Sequence, residues 1–154
     1  MIDNLYKQGA FLTVGDENKY NTMTISWGSV GLMWRKPMFM AMVRESRYSN
    51  EFLDLGKSYT VSIPRENEMK VALGICGSKS GRDIDKEKEA KINYIPSKEV
   101  KTPIVDGCGK YYECKIVFKQ EMNLDNMSSE MREQFYNASE TKHVLYFGEI
   151  VTEY

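Results

Sequence analysis

Histidine is almost missing from this sequence: among 154 residues only His143 is one. A multi-histidine metal centre is thereby excluded, and a serine–histidine–aspartate triad would have to be built on that single ring. No Gly-x-Ser-x-Gly string accompanies it, so hydrolysis finds no support. Cysteine is scarce and odd in number, with Cys76, Cys108 and Cys114 forming no Cys-x-x-Cys pair. Such usage suits reduced thiols in a cytosol better than a disulfide framework. An excess of one charge is also lacking, since 21 Lys and Arg face 22 Asp and Glu. Nucleic acid is therefore not the expected ligand, because phosphate-backbone binders usually carry a basic surplus. Long apolar runs are missing too. The most apolar stretch, Val30 to Val43, is broken by Arg35, Lys36 and Pro37, far short of the ~20 residues a membrane span requires. The opening Met-Ile-Asp-Asn-Leu-Tyr-Lys shows no charged-then-apolar leader, so the expected location is cytoplasmic and away from membranes.

Nucleotide fingerprints fail as well. No Gly-x-Gly-x-x-Gly occurs, and Gly77-Ser-Lys-Ser-Gly81 lacks the spacing of a triphosphate-binding loop. The run Asp83-Ile-Asp85-Lys-Glu87-Lys-Glu89 resembles a calcium loop only superficially. Its sixth position is Lys88 instead of glycine and its twelfth is Tyr94 instead of an acid. A solvated helix face is the better reading.

What is present is a core. With 42% hydrophobic and 12% aromatic residues, the chain is globular, and residues 1–154 read as one domain that needs no metal or disulfide staple. Gly9 to Val14 reads as a strand, followed by a polar turn from Gly15 to Asn18. Asn21 to Gly28 alternates Met23, Ile25 and Trp27 with Thr22, Thr24 and Ser26, a period of two. One row should face the core and the hydroxyl row something polar. Met38 to Arg44 is nearly all apolar and reads as a strand buried on both faces. Ser46 to Leu55 reads as a short helix with Phe52 and Leu55 on one side and Gly56 as its stop. Tyr59 to Ile63 is a strand closed by Pro64. Glu66 to Ile75 is helical, with Met69, Ala72, Leu73 and Cys76 on one side. Tyr111 to Met122 and His143 to Thr152 are long strands, with a helix from Ser128 to Asn137 between them. Many short strands and few helices give a mainly β (α+β) protein with an antiparallel sheet. The pattern leaves barrel and sandwich equally open.

Three segments, in order, carry a resemblance. They are Asn21-Thr-Met-Thr-Ile-Ser-Trp27-Gly, then Val43-Arg44-Glu-Ser46-Arg47-Tyr48-Ser49, then Cys76-Gly-Ser-Lys79-Ser80-Gly81-Arg82-Asp83-Ile-Asp85-Lys86. A weaker fourth is His143-Val-Leu-Tyr-Phe147-Gly148-Glu149. Together they resemble the flavin-reductase-like family over nearly the whole chain. The resemblance implies an FMN-binding split β-barrel with short flanking helices, working as a homodimer. It also implies electron transfer between reduced nicotinamide, NADH or NADPH, and flavin.

The residue types suit that ligand. A phosphate dianion takes charge-assisted donors and hydroxyls, and Arg44, Ser46, Arg47 and Ser49 gather at the start of the predicted helix. Taken alone, the two serines read as helix caps; the arginines and the resemblance make them phosphate ligands. The resemblance places Asn21, Thr22, Met23, Thr24, Ile25 and Ser26 along the flavin, with backbone N–H groups of Thr24 to Ser26 near its polar edge. Trp27 serves equally as a core residue or as a ring-packing one. Lys79, Ser80, Arg82 and Lys86 are the cationic contribution expected to stabilise reduced flavin, and Cys76 is a candidate to approach the ring. His143 aligns with a histidine that relatives place near flavin and nicotinamide, but Lys142 stands where they often carry an acid. Structural and catalytic roles for it stay level. The leading function is an NAD(P)H:flavin oxidoreductase. The alternatives are a flavoredoxin-like carrier served by a redox protein partner, a pyridoxamine-phosphate-oxidase-like enzyme, or a barrel that has lost its flavin.

Overall fold

The computed structural model describes residues 2–137 and 141–154. A helix, α1 (Ile2–Gln8), precedes the hairpin of β1 (Ala10–Gly15) and β2 (Tyr20–Ile25). Asp16 makes that turn, its carboxylate accepting the N–H groups of Asn18 and Lys19. Gly15 is required there, because φ is +99° and a Cβ would run into the Lys19 carbonyl. A second hairpin joins β3 (Gly28–Met33) to β4 (Lys36–Arg44). Its two turn residues, Trp34 and Arg35, both have positive φ, 52° and 59°, the type I′ geometry that usually selects Asn-Gly. After β5 (Ser58–Ile63) come α2 (Lys70–Ser78), α3 (Lys86–Ala90) and the two-residue strands β6 (Tyr94–Ile95) and β7 (Ile104–Val105). The chain closes with β8 (Lys110–Glu121), α4 (Ser129–Tyr136) and β9 (His143–Glu153).

Seven strands form one antiparallel sheet in the order β2-β1-β5-β8-β9-β4-β3. Its two edge strands, β2 and β3, are consecutive in the chain and separated only by Ser26 and Trp27. The sheet must therefore curl until its edges meet at that corner, where the Met42 N–H donates to the Trp27 carbonyl at 3.4 Å. Register shifts between β8 and β9, at Glu113/Cys114 and Ile116/Phe118, supply bending of the kind bulges introduce. The result is a barrel split along one seam.

Two cores follow from this curvature. Inside the barrel Leu12, Val14, Phe39, Val61, Cys114 and Ile116 are almost fully buried. Tyr59 crosses this space to donate to the Phe39 carbonyl at 2.5 Å; Gly148 makes room, since a Cβ there would stand 2.6 Å from the Tyr59 hydroxyl. Outside the barrel, Phe11 of β1 packs with Ala72, Leu73 and Cys76 of α2, Ala90, Ile92 and Cys108. A buried carboxylate, Glu113, collects the N–H groups of Lys98, Glu99 and Val100 at 2.6–3.1 Å and the Tyr154 hydroxyl at 2.6 Å. It thereby pins the loop before β7. Among the described residues no helix is long and apolar enough to cross a membrane.

Several expectations need correction. The strand begun at Asn21 stops at Ile25 instead of reaching Gly28, because the barrel corner intervenes and leaves Ser26 and Trp27 exposed. Residues 28–33 form a separate strand. Ser46 to Leu55 is not an α-helix; only Tyr48–Phe52 winds, as a 3-10 turn, and Leu55 is exposed. Strand β4 is not buried on both faces: Met38, Phe39, Ala41 and Val43 are, whereas Met40 and Met42 are half-exposed.

Candidate functional site

The barrel corner opens into a cleft of about 330 Å³. Residues Met23 to Trp27 line it from β2 and its exit, Met42 and Arg44 from β4, Arg47 from the turn beyond, and His143 from β9. Arg44 also borders an adjoining hollow of about 390 Å³ reaching Ser46, Phe135 and Thr141, with one carboxylate, the exposed Glu133 of α4, on its lining. The cleft lining holds two guanidiniums and no carboxylate. A larger groove of about 870 Å³ elsewhere sets Lys19, Lys57, Lys101 and Lys115 against Asp16, Glu51, Asp54 and Glu99. Its charges cancel, so it offers an anion no net attraction. Among the described residues no group of three or more metal-ligating side chains exists.

The cleft owes its donors to an unpaired strand edge. Strand β2 pairs only with β1. The Thr22 carbonyl accepts from the Lys86 ammonium at 2.6 Å, so Thr22 turns its backbone groups away from β1. The side chains of Thr22 and Thr13, directly opposite, meet at 2.8 Å, as expected of a non-hydrogen-bonded pair. By the period of two, Thr24 presents its N–H and carbonyl on the same free edge.

Two cations hold that edge against α2. Arg47 donates to the carbonyls of Gly77 and Cys76, at 3.0 and 3.1 Å. Lys86 reaches the Cys76 carbonyl at 3.3 Å from the other side. These carbonyls close α2, where the helix dipole favours positive charge. Burial pushes the Lys86 ammonium down to about 8, the neighbouring Cys76 thiol opposing this and Arg47 adding to it. Desolvation lowers Arg47 as well. Thr24 completes the attachment, its hydroxyl donating to the Leu73 carbonyl at 2.6 Å.

At the other wall, His143 stands opposite Arg44 in the β4–β9 register. Its Nδ1 lies 2.8 Å from the Tyr136 hydroxyl on α4, and its ring centroid is 5.2 Å from that of Trp27. Burial, helped by the Arg44 charge, depresses the imidazole to about 4. Arg44 donates to the Thr141 carbonyl at 2.6 Å and stacks over Tyr136 at 5.6 Å.

Of the residues singled out in the sequence, the structure gathers Met23, Thr24, Ile25, Ser26, Trp27, Arg44, Arg47 and His143 around one cleft, with Ser46 next to it. Others lie elsewhere. Thr22 is buried, its hydroxyl accepting from Tyr94 at 2.8 Å. Asn21 and Ser49 are buried against each other, Asn21 donating at 3.0 Å. Cys76 sits in the outer core with no exposure. Lys86 is 6% exposed and meets the cleft only through the strand it holds. Lys79 and Arg82 are exposed, and Arg82 turns to Glu51 at 2.9 Å over the Tyr48 ring. Ser80 accepts the Arg82 N–H at 3.2 Å. Met42, Phe135 and Tyr136 were not singled out. Nothing local marks any of the three, since Met38 to Val43 is apolar throughout and the alternate burial of β4 leaves no trace in residue type.

Comparison with known proteins agrees with this architecture. A flavoredoxin from Methanosarcina acetivorans superimposes with a TM-score of 0.72 at 24% identity, covering 96% of this chain and 67% of its own. An NADH:FAD oxidoreductase from Streptomyces globisporus gives 0.71 at 17% identity over 96% and 75%. An uncharacterized protein of Archaeoglobus fulgidus is 26% identical over 121 residues, 79% of this chain and 67% of that protein. Residues 5–153 match the family described as the flavin reductase like domain. The chain belongs to that family, and its curled antiparallel sheet with four short helices is the family's split barrel.

Proposed function

We propose that the corner cleft binds FMN and that the protein is an NAD(P)H:flavin oxidoreductase. The observation that carries this reading is one cleft combining an unpaired strand edge with two guanidiniums and no opposing carboxylate. Arg44, Arg47 and the exposed hydroxyl of Ser46 fit a phosphate dianion. The free edge at Thr24 and the hydroxyl of Ser26 fit the polar rim of a flat ring. Trp27 and Met42 offer that ring apolar surface. When bound, FMN supplies the hydride-accepting chemistry. The protein's own residues hold the phosphate, leave the corner open to a second planar ligand, and present His143 beside it. Similarity to a flavoredoxin, to an NADH:FAD oxidoreductase and to an FMN-binding protein of Thermus thermophilus supports the reading.

Equilibrium titration tests the cofactor. FMN is expected to bind at least ~10-fold more tightly than riboflavin, a charge-assisted hydrogen bond being worth ~1.5–3 kcal/mol. Arg47→Ala should erase most of that preference in a protein whose circular dichroism is unchanged. Equal affinity for the two flavins would remove the phosphate assignment. Anaerobic NADH or NADPH should then bleach the bound flavin. Bleaching by dithionite but by neither nicotinamide would instead favour a carrier that takes electrons from a protein partner. We also propose a homodimer, supported by the exposed apolar residues Leu32, Met33 and Trp34 of the β3–β4 hairpin.

A further inference from the structure

The imidazole of His143 has two nitrogens, and the structure commits one of them. Nδ1 lies 2.8 Å from the Tyr136 hydroxyl. Among the described residues that hydroxyl has one other neighbour to bond with, the Met122 sulfur at 3.5 Å. An imidazole nitrogen is a far better acceptor than a thioether, so the phenol proton goes to Nδ1. A neutral imidazole carries one N–H, and it is then on Nε2. Among the described residues no buried side-chain nitrogen or oxygen lacks a partner. Nε2 bonds to none of them, so it is the atom that meets the cleft His143 lines.

We infer that Tyr136 is a positioning residue: it holds His143 as a neutral ring whose Nε2–H is offered to an acceptor oxygen of the cleft's ligand. The inference rests on the flavin reading only for what that oxygen belongs to. The charged and titratable groups around the ring act in the same direction. Arg44 faces it from β4 and disfavours imidazolium, and Arg47 is the cleft's other cation. Lys142, just before it, is paired with Glu121 of β8 at 3.7 Å. No carboxylate lines the cleft itself, and Glu133 of α4 is exposed on the adjoining hollow. His143 is therefore a fixed donor at neutral pH, where an unperturbed histidine would be half-way to a switch.

Because the chain has a single histidine, long-range proton–nitrogen correlation spectra of the 15N-labelled protein report this ring without assignment. The expected wild-type spectrum is the Nε2–H tautomer, unprotonated down to about pH 5. Tyr136→Phe should give mixed tautomers and a midpoint raised by loss of the phenol's bond to the neutral ring, though still held below the ordinary ~6.5 by burial and Arg44. Met122→Leu, which keeps Tyr136, should leave the spectrum unchanged. If instead Nδ1 held the proton and the phenol pointed at sulfur, Met122→Leu would shift the resonances. A wild-type Nδ1–H tautomer, or a Tyr136→Phe spectrum and titration like wild type, would overturn the inference. In the FMN titration, affinity should be flat between about pH 5.5 and 8 for wild type. In Tyr136→Phe it should acquire a step at that variant's raised midpoint; equal profiles would break the link to the ligand. Failure of FMN to bind at all would sink the flavin reading and leave the tautomer result standing.

Discussion

Lys86 keeps its ammonium between two carbonyls, and the titratable groups that act on it are Cys76 and Arg47. A neutral amine retains two N–H groups, enough for both carbonyls, so the contacts survive deprotonation while the cost of burying charge disappears. The sign of the pH effect follows. Between about 8, where the folded protein releases the proton, and 10.5, where the unfolded chain does, the unfolded state binds more protons and stability rises with pH. The rise is on the order of 3 kcal/mol at most. Urea unfolding at pH 7, 8.5 and 10 should show it as a difference between wild type and Lys86→Met, whose curve lacks this contribution. Superimposable pH profiles would mean that the ammonium is solvated. In sequence this lysine lies inside a run of charges from Asp83 to Glu89, which reads as solvated surface. Burial at one position of such a run depends on what crosses over it, and β2 lies 64 residues away in sequence.

At the scale of elements, α3 has only five residues, far below the ~12–15 needed to stand alone in water. Its ends hold it. The Asp85 carboxylate accepts the N–H groups of Glu87 and Lys88 at its start, and Lys91 leaves it in a left-handed conformation, φ 53°. Lys86 and Ala90, four apart, are its buried side. Asp85→Ala should cost ~1 kcal/mol in chemical unfolding and weaken FMN several-fold by loosening Lys86 from Thr22, while Asp85→Asn should restore most of both. Unchanged FMN affinity in a measurably destabilised Asp85→Ala protein would separate this helix from the site. Strands with clean alternation or firm punctuation, such as Tyr59 to Ile63 before Pro64, were legible in sequence, as was the buried side of α2. The β3–β4 hairpin was not, because its turn is Trp34-Arg35 where Asn-Gly would signal I′ geometry. The end of β2 was hidden for another reason. Thr24, Ser26 and Trp27 continue the period of two, and only the closing of the sheet decides that the ladder stops at Ile25. The donors of the cleft were visible as residue types, but the burial of Thr22, Asn21 and Ser49 comes from α2 and the 3-10 turn folding over β2, contacts that no local pattern records.

For the molecule as a whole, curling the sheet leaves β3 outside, with every residue after Gly28 exposed. Trp34 at its tip makes a tilted contact with Phe118 and an edge contact with Phe147, at 5.5 and 6.2 Å, yet remains 60% exposed, and Leu32 is 76% exposed. An obligate pairing of two copies there would bury ~2,000 Å² or more. Sedimentation should give a dimer at micromolar concentration, and Leu32→Lys with Trp34→Lys should give a folded monomer. A wild-type monomer that binds FMN would defeat the pairing. The same curvature divides three thiols between two compartments: Cys114 inside the barrel, Cys76 and Cys108 in the layer outside. All three are buried, and desolvation pushes each away from the reactive thiolate, Cys108 up to about 12. An alkylating reagent can reach a given sulfur only while its own compartment is open. The molecule thus carries a built-in pair of clocks, and the order in which its cysteines become labelled would tell whether the helical layer peels away before the barrel breathes.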